Sequence, residues 1–115
     1  MFTLKKLNDT YLIKFELDYT YPTHKEIIND IFSEAIKEEK NKIVIDLSKV
    51  KIIDISSFRS MLNGIMRARN LGKEITLVYP QNEKDTYVSK IYELSNIEEF
   101  LKKTVPNEKS KDKEL

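Results

Sequence analysis

Two adjacent hydroxyl groups, those of Ser56 and Ser57, lie in the segment KIIDISSFRSML, which covers residues 51–62. The segment starts as an extended, apolar stretch, and helical spacing begins at Phe58. A serine in the first turn of a helix can accept a hydrogen bond from a backbone N–H that lacks a partner within the helix. A serine there can also carry a phosphate, which adds about −1.5 to −2 charges. The spacing leaves both interpretations open and by itself favours the helix cap.

Few other residues could do chemistry. His24 is the only histidine, and because no partner has metal-ligand spacing, we expect a solvated residue in the first turn of a helix. Asp46 and Asp54 both follow apolar runs and could form an acid–base pair, although no nucleophile accompanies them and Asp54 can simply serve a turn. With no cysteine and only two glycines, the chain cannot form a thiolate site or a glycine-rich phosphate loop. We expect no catalytic site, no metal and no cofactor.

The composition is that of one globular domain. The chain has 115 residues, of which 20 are Lys or Arg and 19 are Asp or Glu. This balance lacks the clustered basic excess of nucleic-acid-binding proteins, and no run approaches the roughly 18 apolar residues of a membrane span. No long apolar stretch follows Lys5 and Lys6, so we expect no signal peptide and a cytoplasmic protein.

Four segments have the patterns of strands. Residues 11–17 alternate between apolar and polar side chains, which indicates a half-buried strand. The apolar segment before it suggests a partner strand that turns at Asn8-Asp9. KIVIDL at 42–47 is nearly all apolar, which is typical of a strand covered on both faces, and EITLVY at 74–79 is the fourth strand.

Three helices are predicted, beginning at about residues 23, 56 and 82. Thr23, followed three residues later by Glu26, has the spacing of a capping box. The second helix carries an apolar stripe from Phe58 and ends where Gly72 can adopt the left-handed conformation.

Helices between consecutive strands imply parallel pairing with right-handed crossovers. We therefore predict an α/β fold with a four- to five-stranded mixed sheet, a hairpin at one edge and three to four helices mainly on one side. Residues 1–103 form the single predicted domain. Residues 104–115 are densely charged and lack apolar anchors, so we expect a disordered tail.

The segment KIVIDLSKVKIIDISSFRSML is similar to the pattern V-V-[LI]-D-L-S-x-V-x-[FY]-[IM]-D-S-S-G-L-G. This pattern is typical of the STAS domain of bacterial anti-sigma factor antagonists. LGKEITLVYP and YELSNIEEFL resemble later parts of the same family's sequence, so the resemblance covers about residues 1–101. It implies a STAS-like fold, in agreement with the predicted order of elements.

In the register set by Asp54 and Phe58, Ser56 falls on the phosphorylated serine of the family, and Ser57 falls on a glycine. The resemblance implies a binding protein rather than an enzyme, which acts in signal transduction and transcription regulation by partner switching. Its partners would be a serine-kinase anti-sigma factor and a phosphatase. The partner-binding residues that the resemblance implies are Ser48, Asp54, Ile55, Ser57 and Arg59.

The chain departs from the family pattern at three positions. Ile55 replaces the first family serine, and Ser57 and Arg59 replace both glycines. Glycines allow a close approach of backbones, and Arg59 places a long cationic side chain on the same surface. A structural STAS module, such as a stressosome-type scaffold subunit or the STAS subunit of a lipid-transport complex, is the alternative function. An enzyme that uses Asp46 or Asp54 is a third.

Deletion of residues 104–115 should leave the melting temperature nearly unchanged, because this segment is densely charged and lacks the run of apolar side chains that would anchor it on a core. Thermal unfolding of the full and shortened chains, followed by circular dichroism, measures this. A decrease of many degrees would show that the tail packs against the domain.

Overall fold

The computed structural model describes residues 1–78. The predicted third helix from residue 82 and the tail at 104–115 lie outside the described residues. The elements in chain order are β1 (Phe2–Leu7), β2 (Thr10–Phe15), α1 (His24–Lys37), β3 (Lys42–Asp46), α2 (Ile55–Asn70) and β4 (Glu74–Val78).

The four strands form one mixed sheet in the order β1-β2-β3-β4. β1 and β2 are antiparallel, whereas β3 runs parallel to both β2 and β4. The hairpin turns at Asn8, whose φ of 49° lies in the left-handed region that asparagine tolerates better than most residues. The predicted α/β architecture, the edge hairpin and the interior position of the 42–47 strand are therefore confirmed.

One face of the sheet holds the hydrophobic core. Ile13, Ile43 and Ile45 from the strands are fully buried in one cluster with Phe32 of α1 and Ile65 of α2. On the opposite face of β3, Val44 and Asp46 are half-buried and Lys42 is exposed. Both described helices contribute their buried side chains to this one core, so coverage of β3 on both faces stays a prediction that residues 1–78 do not test.

α1 and α2 pack closely where Gly64 of α2 faces Phe32 of α1. A Cβ atom at position 64 would overlap the ring of Phe32 and lie 2.8 Å from its Cβ. The glycine is therefore required by the approach of the two helices rather than by its backbone angles.

The predicted capping box at the start of α1 is wrong. Thr23 has helical backbone angles, with φ −65° and ψ −18°, and its side chain makes no capping hydrogen bond. Instead, Nδ1 of His24 accepts a hydrogen bond of 2.9 Å from the backbone N–H of Tyr21. The His24 ring also packs edge-on against Phe2, with 5.9 Å between ring centroids. The only histidine is thus a half-buried structural residue, not a solvated one.

The predicted end of α2 at Gly72 is confirmed. Gly72 has a φ of +86°, its N–H donates to the carbonyl of Arg69 at 2.9 Å, and the N–H of Lys73 donates to Ala68 at 3.1 Å. These two bonds form the Schellman arrangement that satisfies the last carbonyls of a helix.

Gly64→Ala should lower the free energy of unfolding by about 1–3 kcal/mol, because the added methyl group forces α1 and α2 apart at Phe32. Urea unfolding of the two proteins measures the difference. Asn63→Ala, at an exposed neighbouring position of the same helix, is the matched control and should change stability by less than about 0.5 kcal/mol. If both variants were equally stable, the helices would not be in the close contact described.

Candidate functional site

The N-cap of α2 is Asp54. Its backbone is extended, with φ −76° and ψ 161°, and its Oδ2 atom accepts a hydrogen bond of 3.0 Å from the N–H of Ser57. Aspartate is among the best capping residues because its carboxylate satisfies a free N–H and favours the positive end of the helix dipole. Neither Ser56 nor Ser57 is the cap, so the interpretation of a serine as the N-cap is wrong, and the helix begins at Ile55.

The two serines have different surroundings. Ser57 is fully buried, and its hydroxyl donates a hydrogen bond of 3.1 Å to the carbonyl of Tyr21. Ser56, the second residue of α2, is only partly buried. Successive helical residues point about 100° apart, so one hydroxyl faces inward while its neighbour faces the protein surface.

Thr20 supports the cap from the segment that follows β2. Its Oγ1 atom accepts a hydrogen bond of 2.9 Å from the N–H of Asp54 and donates one of 2.7 Å to Oδ1 of the same residue. Burial raises the pKa of the Asp54 carboxyl, but hydrogen bonds from Ser57 and Thr20 outweigh this effect and lower the pKa below its usual value. The carboxylate is therefore fixed in its ionised form and in one orientation.

Backbone hydrogen bonds hold the segment after β2 against the segment before α2. The N–H of Lys51 donates to the carbonyl of Asp18 at 2.7 Å, and the N–H of Thr20 donates to Ile52 at 3.1 Å. Tyr19 and Ile52 form an isolated parallel bridge. Both segments follow the carboxyl ends of parallel strands, the edge at which open α/β sheets bind ligands and partners.

Ser48 lies at the same edge, in the turn that follows β3. Oδ1 of Asp46 accepts a hydrogen bond of 2.9 Å from the N–H of Ser48, and the N–H of Val50 closes the turn on Leu47 at 3.0 Å. Ser48 is exposed, so it is available for a partner. Asp46 and Asp54, the two carboxylates considered as an acid–base pair, both accept hydrogen bonds from backbone N–H groups.

Sequence reasoning missed Thr20 and its two neighbours. The structure places Ser48, Asp54, Ile55, Ser57 and Arg59 in or beside the turns that end at α2, but Asp54 is anchored by a residue 34 positions earlier. The only local signal is the alternation in Tyr19-Thr20-Tyr21, in which the small polar residue is buried and both tyrosines are exposed.

A second concave surface lies between α1 and α2. This polar groove is lined by Asn29, Ser33, Asn63, Met66, Arg67 and Asn70. It includes none of the residues that the sequence predicted for the site. Within residues 1–78, no three His, Cys, Asp or Glu side chains are grouped to hold a metal ion, and neither helix is long and apolar enough to cross a membrane.

Comparison with known proteins extends these findings. A family model described as STAS domain matches residues 2–110. No curated protein matches the sequence. Among solved structures, an anti-sigma factor antagonist from Mycobacterium paratuberculosis is similar with a TM-score of 0.71 and 10% identity, over 92% of this chain and 82% of that chain.

Two further structures have the same fold. The unphosphorylated form of the anti-sigma factor antagonist SpoIIAA has a TM-score of 0.69 and 18% identity, over 84% of this chain and 82% of its own. A STAS-domain antagonist from Rhodobacter sphaeroides has a TM-score of 0.59 and 23% identity, over 76% of this chain and 92% of its own. At these identities the similarity establishes the fold.

Replacing Asp54 by asparagine should remove part of the pH dependence of stability. The folded protein lowers the pKa of this carboxyl from its usual 3.8. At pH values between the folded and the unfolded pKa, unfolding therefore takes up a proton, and the free energy of unfolding rises with pH. The stability that the carboxylate contributes is complete above 3.8 and is lost as the pH falls through the lower folded value. Urea unfolding at several pH values from about 6 down to about 2.5 measures this.

The difference in unfolding free energy between the wild type and Asp54→Asn should therefore be largest near neutral pH and shrink in acid. Thr20→Val is the control that keeps the carboxylate but removes one of its donors, and it should weaken the pH dependence only in part. A difference that stays constant over the whole range would contradict the described hydrogen bonding.

Proposed function

Because the chain belongs to the STAS domain family, we propose that it is an anti-sigma factor antagonist that acts by partner switching. The unmodified protein binds a serine-kinase anti-sigma factor, and phosphorylation of Ser56 releases it. The supporting observation is the contrast between the two serines: Ser56 is partly exposed in the first turn of α2, whereas Ser57 is buried and bonded to Tyr21. A kinase needs an accessible hydroxyl, so the geometry favours Ser56.

The fold should tolerate a phosphate at Ser56. The N-terminus of a helix favours an anion by about 0.3–1 kcal/mol. Asp54 already places one negative charge there, but Arg59 lies three residues after Ser56 on α2 and has an exposed side chain. Residues three apart are neighbours on a helix, so the guanidinium can pair with the phosphate and offset the repulsion from Asp54.

Phosphorylation weakens the binding of the partner rather than the stability of the fold. A partner that covers Ser56 would bury a doubly charged group without matched donors, which costs several kcal/mol. A loss of about 4 kcal/mol weakens binding about a thousandfold. The switch therefore needs no rearrangement of the fold, only a change of charge at a surface that the partner covers.

In this function the protein is a binding protein of the cytoplasm rather than an enzyme, and a phosphatase restores the binding form. A structural STAS module, in a stressosome-type scaffold or a lipid-transport complex, is the second candidate. The exposed Ile55 and Arg59 favour it, because they stand where the family has small residues and change the surface that an anti-sigma factor would meet.

The direct test incubates the purified protein with ATP and, one at a time, the serine-kinase anti-sigma factors of the source organism, and locates the phosphate by mass spectrometry. Ser56→Ala should abolish modification and, because Asp54 is the cap, change stability by less than about 0.5 kcal/mol. Ser57→Ala is the matched control: it should still be modified, but lose about 0.5–1.5 kcal/mol with its hydrogen bond to Tyr21.

Binding of the same kinase to Ser56→Asp, measured by calorimetry, tests the consequence. The added carboxylate should weaken binding while the fold stays intact, although it carries less charge than a phosphate. Modification at Ser57 would refute the assignment of the acceptor. Absence of modification, together with unchanged affinity of Ser56→Asp, would refute the switch and favour the structural module.

A further inference from the structure

We infer that the partner of this chain presents an apolar surface bordered by carboxylates, and that Tyr19, Ile55 and Arg59 select it. The inference rests on the proposed function, because it describes the partner of the same site. It comes from a set of side chains, here named the junction patch, that surrounds the N-terminus of α2. The patch consists of the apolar residues Tyr19, Tyr21, Ile52 and Ile55 and the cations Lys49, Lys51 and Arg59.

The apolar members of the junction patch lie on two segments that meet at the start of α2. Tyr19 and Ile52 are direct bridge partners, so their side chains are neighbours. The backbone of Tyr21 is fastened to α2 through the hydrogen bond from Ser57, and Ile55 is the first residue of that helix. All four exposed side chains therefore stand on backbone that is joined at the helix start, beside Ser56.

The junction patch exposes an unusual amount of apolar side chain to water. Its four large side chains are between 44% and 59% exposed. A single exposed isoleucine or tyrosine is ordinary, but a contiguous group at one edge of a sheet is typical of an interaction site. Thr20 and Ile53 lie between these residues in sequence and are buried, so the backbone that presents the patch is anchored to the core.

The charges of the junction patch specify the partner. Lys49, Lys51 and Arg59 are exposed, whereas Asp18, Asp46 and Asp54 are half-buried, and the last two accept hydrogen bonds from backbone N–H groups. The one exposed carboxylate beside them, that of Glu16, lies near Lys49. Exposed cations therefore outnumber exposed carboxylates on the border that a partner meets. A second copy of this chain would bring cations against cations in a symmetric contact, so the occupant is a different protein with acidic residues around an apolar centre.

Ile55 and Arg59 are the residues that distinguish this surface from the family pattern. They are four positions apart on α2 and both are exposed, so they lie on one face of the helix. A partner that fits them needs a pocket for the isoleucine and a carboxylate for the guanidinium. A partner shaped for the serine and glycine of the family pattern would clash with both side chains, which gives specificity by exclusion.

The experiment takes the serine-kinase anti-sigma factor that modifies the wild type and measures its affinity for a set of variants by calorimetry at low and moderate salt. Arg59→Glu should weaken binding at least about tenfold, and Ile55→Ser and Tyr19→Ser about fivefold or more. Lys5→Glu on β1 is the control with the same change in charge, and Met66→Ser is the control for loss of an exposed apolar side chain from α2. Both controls should bind within about twofold of the wild type.

Salt provides a second readout. Wild-type affinity should fall with rising salt because the cations are exposed, and this dependence should weaken in Arg59→Glu but not in Lys5→Glu. If the wild type binds the kinase and is phosphorylated, yet the three patch variants bind equally well, the inference fails and the proposed function stands.

If the wild type neither binds nor is modified, both fail. Sedimentation of the wild type alone gives the remaining outcome. A dimer that Ile55→Ser dissociates would show that a second copy occupies the patch and would overturn the inference.

Discussion

The ionised carboxylate of Asp54 is the contact on which the arrangement of the site depends. It caps α2 through the N–H of Ser57 and accepts the hydroxyl of Thr20, whose oxygen accepts the N–H of Asp54 in return. One residue thereby joins the segment that follows β2, the loop before α2 and the first turn of that helix. Because the bonds to the carboxylate outweigh the effect of burial on its pKa, the charge is a stable part of the fold.

This cap explains the different roles of the two serines that follow it. With Asp54 accepting the N–H of Ser57, neither serine hydroxyl is needed as a cap. Ser57 points inward and holds the carbonyl of Tyr21, whereas Ser56 remains partly exposed at the positive end of the helix. A group added at Ser56 therefore meets the surface of the protein, and a change at Ser57 meets its interior.

Sequence patterns predicted the features of the fold that depend on residues adjacent in the sequence. Strand alternation, the turn at Asn8 and the left-handed Gly72 are set by local sterics and side-chain period, and the structure has them where they were expected. The capping box at Thr23 failed because a turn at Tyr21, closed by His24, already gives that residue helical angles. Motif spacing cannot distinguish these two ways of starting a helix.

The positions of the candidate residues were predictable along α2 and not across the sheet. The family motif placed Asp54 and Ser56 at the start of a helix, where the structure has them, but the anchor Thr20 lies 34 residues from Asp54, and no local pattern connects the two. The apolar run of β3 likewise indicates how hydrophobic the strand is and not which face the described helices α1 and α2 occupy. Contacts between distant segments require the fold before they can be inferred.

The surroundings of Ser57 and Arg59 explain how the chain accommodates side chains in place of both motif glycines. At Ser57 the added side chain is inside, where its hydroxyl finds a carbonyl acceptor and secures the segment that carries Tyr19 and Tyr21. At Arg59 the added side chain is outside, where it changes only the surface. The same helix start thus gains an internal hydrogen bond from one substitution and an altered surface from the other. Because the two effects act on opposite sides of the backbone, the surface can diverge between relatives while the cap and the core beneath it stay the same.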